Sequence, residues 1–336
     1  MIKIGIDAMG GDFAPKEAVQ GGLLAVEKFE DIEVHLYGRE SAIREYLTKD
    51  HPRVKIVHCE DVLPMDIKDP ALAVRRQKDA SLVRACQDAK TKAIDAVVSA
   101  GATGALIAAG TLIVKRLKEV SRPALAPIMP TIQKGRYTVL CDAGATSDAK
   151  PRYLYQNAKI ANIYVREVLG IKNPRIGLLN IGTEASKGAE LQKEAYGLLI
   201  ADKSLNFVGN IESKSMITGE VDIIVADGYS GNIAMKAVEG AASSIFKLLK
   251  QELMASTLGK IGALFAKKVF KDIKNHMDAS AVGGAVLLGI SAPVIKAHGS
   301  SDAVAIMNAI RQARETVKQD VIQKISLSLG KAGEDA

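Results

Sequence analysis

The segment Ile2-Lys3-Ile4-Gly5-Ile6-Asp7, followed at once by Ala8-Met9-Gly10-Gly11-Asp12, has the form of a short apolar strand that ends in a turn of small residues. Four later segments repeat this form: 94–99 into 100–104, 137–142 into 143–146, 175–180 into 181–184, and 221–227 into 228–232. The carboxyl ends of parallel strands lie along one edge of a sheet, so we expect the five turns to meet at one crevice. Glycine allows close backbone approach, and helix N-termini offer unpaired N–H groups. This pattern therefore predicts that the crevice binds a small anion.

The rest of the chain alternates strand-like and helical patterns. Further strand-like runs cover 33–37, 54–58, 124–129 and 206–209, and helical periodicity covers 14–29, 40–49, 70–90, 102–117, 151–169 and 188–201. After residue 232 the pattern is helical to about 278, and a loop at 295–302 precedes a closing helix near 303–325. Such alternation predicts βαβ units, a mostly parallel sheet and, without a low-complexity linker, one α/β domain over residues 1–336.

Composition favours a cytoplasmic protein with a large core. Of the 336 residues, 48% are hydrophobic. The three cysteines, Cys59, Cys86 and Cys141, form no CxxC pair, and an odd number suits a reducing compartment. The first residues lack the pattern of a signal peptide, and no run of about 18 apolar residues predicts a membrane span.

The net charge of +7 indicates an acidic partner. Nucleic acid is disfavoured as that partner, because the chain has no Trp and 4% aromatic residues and so lacks platforms on which bases could stack.

One late segment, 253–274, has a strongly amphipathic helical pattern. Seven lysines and two carboxylates occur between Lys247 and Lys274. The apolar face consists of Leu253, Met254, Leu258, Ile261, Leu264, Phe265 and Val269. Such a helix can lie on an anionic bilayer, or it can pack on a neighbouring helix or a second subunit with its lysines in solvent. Both interpretations are true at once if a dimer presents the helices outward.

Several common catalytic motifs are missing. The chain contains no G-x-G, hence no dinucleotide fingerprint, and no Walker-type phosphate loop. In Gly228-Tyr229-Ser230-Gly231-Asn232 the last glycine of a nucleophile elbow is replaced, so we expect Ser230 to be a helix cap or a backbone-like donor. The five histidines show no ligand spacing, and no metal site is predicted. Cys141 could accept an acyl group, but a buried strand cysteine is the commoner case.

The remaining candidates are groups that hold anions. Lys187 follows a strand end with an amide and a hydroxyl and stands just before a helix, where a lysine can neutralise phosphate. The alternative is an ordinary solvated loop charge.

Four other polar residues are each open to two interpretations. Asn232 can contact substrate or act as an N-cap of the long helix. His298 can position an anion or bond into the core. Asp7 and Asp12 flank the first glycine pair, where they can fix the turn or orient a basic ligand group; a magnesium site there has no further support in the sequence.

Six motifs in this order resemble the PlsX family of bacterial phosphate acyltransferases over essentially the whole chain. They are Ile6-Asp7-Ala8-Met9-Gly10-Gly11-Asp12 with Ala14-Pro15, 99–105, 122–127, Asn180-Ile181-Gly182-Thr183-Glu184, 227–232, and Ala292-Pro293-Val294-Ile295-Lys296-Ala297-His298-Gly299-Ser300-Ser301-Asp302. The chain departs from the family pattern at Ala102, where Asn is common, and at Tyr229-Ser230, where Phe-Thr is common.

The resemblance implies transfer of a fatty acyl group from acyl carrier protein to inorganic phosphate, giving an acyl phosphate for phospholipid synthesis without a cofactor. It also implies a homodimer and a three-layer α/β/α fold similar to isocitrate and isopropylmalate dehydrogenases, with long helices protruding near 232–278. Lys187 and Asn232 would be catalytic, and the helix would face an anionic membrane through Leu258, Ile261 and Phe265. The expected phosphate or substrate contacts are Asp7, Gly10, Gly11, Gly101, Thr103, Gly104, Asn180, Gly182, Thr183, Glu184, Gly231 and His298.

Three other functions are compatible with parts of this pattern. A phosphotransacetylase that uses coenzyme A would share the fold and the phosphate pocket. A dehydrogenase of the isopropylmalate type would need a nicotinamide site. A non-catalytic basic scaffold at the membrane would have no need for five glycine turns.

Overall fold

The computed structural model describes residues 1–47, 49–277 and 282–334. Its strands form a single sheet of 11 strands in the order β3-β2-β1-β4-β11-β10-β5-β6-β9-β7-β8. The strands are β1 (Ile2–Asp7), β2 (Ile32–Gly38), β3 (Val54–His58), β4 (Ala96–Ser99), β5 (Ala124–Pro130), β6 (Tyr137–Cys141), β7 (Ile176–Asn180), β8 (Phe207–Glu212), β9 (Ile223–Val225), β10 (Ala285–Leu288) and β11 (Val294–Lys296). The helices are α1 (Lys16–Lys28), α2 (Glu40–Arg44), α3 (Pro70–Arg76), α4 (Ser81–Lys90), α5 (Thr103–Ala109), α6 (Pro151–Val168), α7 (Glu190–Ala201), α8 (Gly228–Ala255), α9 (Thr257–His276), α10 (Ala303–Lys318) and α11 (Val321–Glu334).

The sheet is buried on both faces, which makes three layers. Successive strand residues point to opposite faces. On β10, Val286 and Leu288 join the core beneath α1, α6 and α10, whereas Leu287 joins the core beneath α4 and α5. On β9, Ile224 similarly faces away from its neighbours, toward the start of α8. The predicted three-layer α/β/α fold is confirmed, and the sheet is mostly parallel.

The strands run in two parallel blocks of opposite direction. β1, β2, β3, β4 and β11 are parallel to one another, and so are β6, β7, β8 and β9. Three antiparallel pairings, β11 with β10, β10 with β5, and β5 with β6, connect the blocks. An odd number of reversals places the carboxyl ends of the two blocks at opposite edges. The prediction that all five turns lie along one edge is therefore wrong.

Several helix predictions also need correction. The pattern at 70–90 is two helices with a break at residues 77–80, and the pattern at 102–117 is α5 followed by a π-helical turn, Gly110–Val114. The helix expected at 40–49 ends at Arg44, with residue 48 outside the described residues, and the closing helix is also divided in two. Strands β10 and β11 were not predicted, because four and three residues are too few for a visible alternation.

The segment predicted as one amphipathic helix at 253–274 is divided at Ser256 between the end of α8 and α9. The two helices pack on each other and also expose apolar side chains. On α9 Leu258 is 80% exposed, Ile261 50% and Phe265 84%. The side chain of Lys274 and residue 278, included in the prediction, lie outside the described residues. No helix within the described ranges is long and apolar enough to cross a membrane.

Candidate active site

A buried polar row lies at the carboxyl ends of β1, β4 and β11. The strand register places Asp7 opposite Ser99, and Ser99 opposite Lys296. The hydroxyls of Ser99 and Ser81 each donate to the Asp7 carboxylate at 2.6 Å. The Lys296 ammonium donates to the carbonyls of Ala100, at 3.2 Å, and of Ala297. This row joins the turns that follow three neighbouring strands.

Burial shifts the titration of both charged members of the row. It raises the pKa of Asp7, although the two serine hydroxyls oppose the shift. It lowers the pKa of Lys296 to about 8, against the attraction of the Asp7 and Asp12 carboxylates. A lysine with this pKa is partly neutral just above neutral pH. Its neutral amine can still donate a hydrogen bond.

The glycine turns close tightly over this row. A Cβ on Gly10 would lie 2.7 Å from the backbone N of Gly101, so the two turns can approach only without side chains. The Asp12 N–H donates to the Gly299 carbonyl at 2.8 Å, which ties the first turn to the turn after β11. Gly11 adopts a φ of 109°. Asp7, Gly10, Gly11 and Gly101 are thus brought together as predicted.

His298, Thr103 and Gly104 form the exposed rim of this group. The His298 ring lies 2.8 Å from the Ser300 hydroxyl, through Nδ1. The alternative in which His298 bonds into the core is therefore wrong, and its ring stands at the surface of the turn.

A second polar group lies at the ends of β6 and β9, around Asp142. Its carboxylate accepts the N–H groups of Leu125 at 2.9 Å, Gly144 at 3.0 Å, Ala145 at 2.9 Å and Thr146 at 2.7 Å. Burial raises the pKa of Asp142, and these four bonds oppose the shift. The carboxylate therefore fixes the whole 143–146 turn from within.

Asn232 packs against that turn. Its Nδ2 donates to the Ala143 carbonyl at 3.2 Å, and a Cβ on Gly144 would lie 2.6 Å from the same nitrogen. The N-cap of α8 is Asp227, whose carboxylate accepts the Ser230 N–H at 2.8 Å. Asn232 is the fifth residue of α8, so the alternatives of Asn232 or Ser230 as the cap are wrong. Gly231 lies against the Asp142 carbonyl.

The third group is the loop after β7. β7 pairs with β9 so that Asn180 and Asp227 stand at the same level, two residues beyond the pair Leu178 and Val225. The Asn180 amide donates to the Lys187 carbonyl at 3.0 Å, which closes the loop on itself. This loop also contains Gly182, Thr183 and Glu184.

The Lys187 side chain lies over Gly182 of the same loop and is partly exposed. The side chain is 47% exposed, and Nζ lies 3.9 Å from the nearer Glu184 carboxylate oxygen, which is a loose contact. The charge is therefore available to an incoming anion. Among the described contacts, none joins Lys187 to Asn232 directly, and the interpretation of Lys187 as a solvated loop charge stays open.

Helix α8 carries a lysine whose charge acts on the first polar group. It starts beside Asp142 and carries Lys236 one turn beyond Asn232. The positive charge of Lys236 contributes to the lowered pKa of Lys296, so α8 reaches the neighbourhood of the first group.

Sequence reasoning missed three residues that hold these groups. Asp142 ends an apolar strand, a signal that was present in the sequence, and Lys296 stands within a quoted motif. Ser81 bonds Asp7 from 74 positions away at the start of α4, and nothing in the sequence connects the two.

Cys141 is fully buried on β6, and burial raises the pKa of its thiol. A thiol in this state is a poor nucleophile, which favours the buried strand cysteine over an acyl acceptor. Within the described part of the chain, no three His, Cys, Asp or Glu side chains cluster as metal ligands would.

Comparison with solved structures agrees with the fold. A phosphotransacetylase from Streptococcus pyogenes aligns with a TM-score of 0.61 at 17% identity, over 95% of this chain and 94% of that chain. An isocitrate dehydrogenase from Methylococcus capsulatus aligns with a TM-score of 0.50 at 11% identity, over 96% and 88%. At these identities the likeness concerns the fold alone.

Sequence comparison is far more specific. The family described as "Fatty acid synthesis protein" matches residues 2–324. Proteins from Bacillus cereus (strain B4264) and Bacillus mycoides (strain KBAB4), both named "Phosphate acyltransferase", are 48% identical over 325 residues, which is 97% of this chain and 97% of each relative. The chain therefore belongs to the fatty acid synthesis protein family.

Proposed function

We propose that this chain is a phosphate acyltransferase that moves a fatty acyl group from acyl carrier protein to inorganic phosphate, giving an acyl phosphate for phospholipid synthesis. The observation that carries the proposal is the near full-length match, at 48% identity, to proteins named phosphate acyltransferase. The surplus of basic residues suits an acidic carrier protein. The proposal takes the chain as one cytoplasmic catalytic domain that requires no cofactor.

The chemistry that we propose is direct attack by phosphate on the thioester. A phosphate oxygen forms the bond to the carbonyl carbon, the carbon–sulfur bond breaks, and the thiolate of the carrier leaves and takes up a proton. Phosphate is itself the nucleophile, so the protein needs to hold it, aim it and stabilise the oxyanion. The burial of Cys141 supports a route without an acyl–enzyme intermediate.

Lys187 and Asn232 take the two catalytic roles in this proposal. The half-exposed Lys187 ammonium neutralises the phosphate and the charge that develops on it. Asn232 Nδ2 has two hydrogens, and the bond to Ala143 uses one, so the second can donate to the thioester oxygen or to phosphate. The glycine turns and the rim residues shape the pocket.

The exposed apolar face of α9 supports a peripheral contact with an anionic membrane. Leu258, Ile261 and Phe265 would enter the interfacial region, with neighbouring lysines near the lipid head groups. A homodimer that presents the helix pairs outward would double this contact.

One assay tests the activity. Purified protein is incubated with long-chain acyl carrier protein and phosphate, and the acyl phosphate is trapped with hydroxylamine. We expect hydroxamate that depends on phosphate. The result that overturns the proposal is product from acetyl coenzyme A but none from acyl carrier protein, which would identify the phosphotransacetylase alternative suggested by the fold. Reduction of NAD by a hydroxy acid would instead identify a dehydrogenase.

A further inference from the structure

A cavity of about 730 Å³ opens at the edge of the sheet away from the groups around Asp142 and Asn180. We call it the arginine cavity, because Arg136, Arg175 and Arg311 contribute to its wall. Arg136 and Arg175 directly precede β6 and β7, whose other ends carry the candidate active-site turns. With about 3.3 Å per strand residue, roughly 15 Å separates the two places.

The charges around the arginine cavity are unbalanced. Arg175 is matched by Asp222, with Nε and Nη2 each 3.0 Å from a carboxylate oxygen. Arg311 Nη2 donates to the Val282 carbonyl at 2.6 Å, and Arg311 Nε is buried without an acceptor among the described residues. Arg136 is exposed and forms no ion pair with a described carboxylate.

Glu315, the other carboxylate of the cavity wall, is bonded to Arg314. Among the described residues, Arg311 bonds a backbone carbonyl rather than a carboxylate, and Arg136 has no carboxylate partner. A guanidinium binds carboxylate or phosphate through paired N–H groups, and a buried donor without an acceptor is unfavourable. An anionic ligand would pair with these guanidinium groups. It would also supply the acceptor that the buried Arg311 Nε lacks among the described residues.

Apolar side chains also line the arginine cavity. Val168, Leu169 and Ile171, at the end of α6 and just beyond it, pack on the core and line this side. The volume lies in the range typical of small-molecule sites, about 300–1,000 Å³. A lining that contains both arginines and apolar side chains fits a molecule with a charged head and a hydrocarbon body.

We propose that the arginine cavity is a second ligand site, separate from the candidate active site, that binds an amphiphilic organic anion with a carboxylate or phosphate-monoester head. Arg311 and Arg136 bind the head, and the end of α6 covers the hydrocarbon part. Binding at this site does not depend on the proposed acyl transfer.

The test is calorimetric titration of the full chain with octyl phosphate, octanoate and octanol. Because octyl phosphate can also enter the active site, the titrations use a protein that carries Lys187→Ala and Asn232→Ala. We expect saturable binding of at least one anion and at least tenfold weaker binding of octanol. Binding of octyl phosphate alone would identify a phosphate monoester, and binding of octanoate alone a fatty carboxylate. Equal binding of octanol, or no saturation by either anion, overturns the proposal.

Substitutions at the arginine cavity locate the binding. Arg311→Met and Arg136→Met should each weaken the better anion at least tenfold, and Arg311→Lys should restore part of the loss. The matched control, Arg152→Met, removes an exposed arginine from α6 outside this cavity and should change nothing. If Arg311→Met keeps its melting temperature and binds the anion as before, the assignment is wrong. Because the titrations do not measure turnover, they can fail or succeed independently of the proposed acyl transfer.

Discussion

Replacing Asn232 with Ala separates catalysis from stability. In the folded protein the side chain makes one described bond, from Nδ2 to the Ala143 carbonyl at 3.2 Å. Loss of a neutral hydrogen bond costs about 0.5–1.5 kcal/mol of folding free energy. For a chain of this size we expect a fall in melting temperature of a few degrees at most.

The expected loss of activity is much larger. The second Nδ2 hydrogen is held in place by the Ala143 bond and by the close packing of Gly144, so it is oriented before substrate arrives. Removing one preorganised donor to a developing oxyanion costs about 2.7–4 kcal/mol, or roughly 10²–10³-fold in kcat. Asn232→Ala should therefore lose activity by that factor while it remains folded.

The assay is phosphate-dependent hydroxamate formation from acyl carrier protein, measured beside a thermal melt. The matched control is Asn206→Ala, because Asn206 also donates Nδ2 to a backbone carbonyl, that of Asn173, at 3.2 Å, but at the start of β8. It should show a similar small change in melting temperature and nearly full activity. The reasoning is refuted if the two variants have the same activity, within about threefold of the unchanged protein.

Three further predictions concern charge and surface. Lys187→Ala should lower kcat about 10²–10³-fold through loss of an electrostatic donor, whereas Lys193→Ala, an exposed lysine on the next helix, should have little effect on the same assay. Leu258→Glu should release the protein from anionic vesicles in a sedimentation assay without loss of turnover in solution, and Leu198→Glu, 41% exposed on α7, should leave vesicle binding intact. Burial lowers the pKa of Lys296 from 10.5 to about 8, so the unfolded chain binds more protons between these values, and the stability of the native protein relative to Lys296→Met should rise with pH across this window, by at most about 3 kcal/mol in denaturant titrations.

Each of these predictions has a contradicting result. Full turnover by purified Lys187→Ala would remove this lysine from the mechanism and leave it as a solvated loop charge. Vesicle binding that survives Leu258→Glu would make α9 a structural element. A stability difference between native and Lys296→Met proteins that stays constant from pH 8 to 10 would mean that Lys296 keeps its ordinary pKa in the fold.

Local patterns in the sequence predicted most of the strands because those strands are short apolar runs bounded by glycine turns. The prediction failed where the local signal was weak. β10 and β11 have four and three residues, yet they lie in the middle of the sheet. The two antiparallel pairings of β10 cancel, so the direction of the sheet reverses at the pairing of β5 with β6. Both of these strands were predicted, but local patterns do not show whether two strands pair parallel or antiparallel.

In the candidate site too, the sequence predicted the contacts between neighbouring strand ends but not the contacts between distant parts of the chain. Asp7, Gly10, Gly11 and Gly101 were expected together, since strand-end turns of neighbouring parallel strands must be close, and they are. Asn232 was expected at a helix start. Its packing against Gly144 was not predictable, because it depends on a contact between α8 and the end of β6, and the two residues are 88 positions apart in the chain.

By itself, the sequence determined the α/β class, the strand-end turns, the amphipathic helix and the family to which the chain belongs, because all of these depend on residue type and on spacing along the chain. The tertiary structure alone decided that the two strand blocks run in opposite directions, that Asp7 bonds Ser81, that Ser99 stands between Asp7 and Lys296, and that Asp142 holds its turn from within. The physical reason is that hydrogen bonds and desolvation act between groups that are near in space, and chain separation carries no information about that nearness.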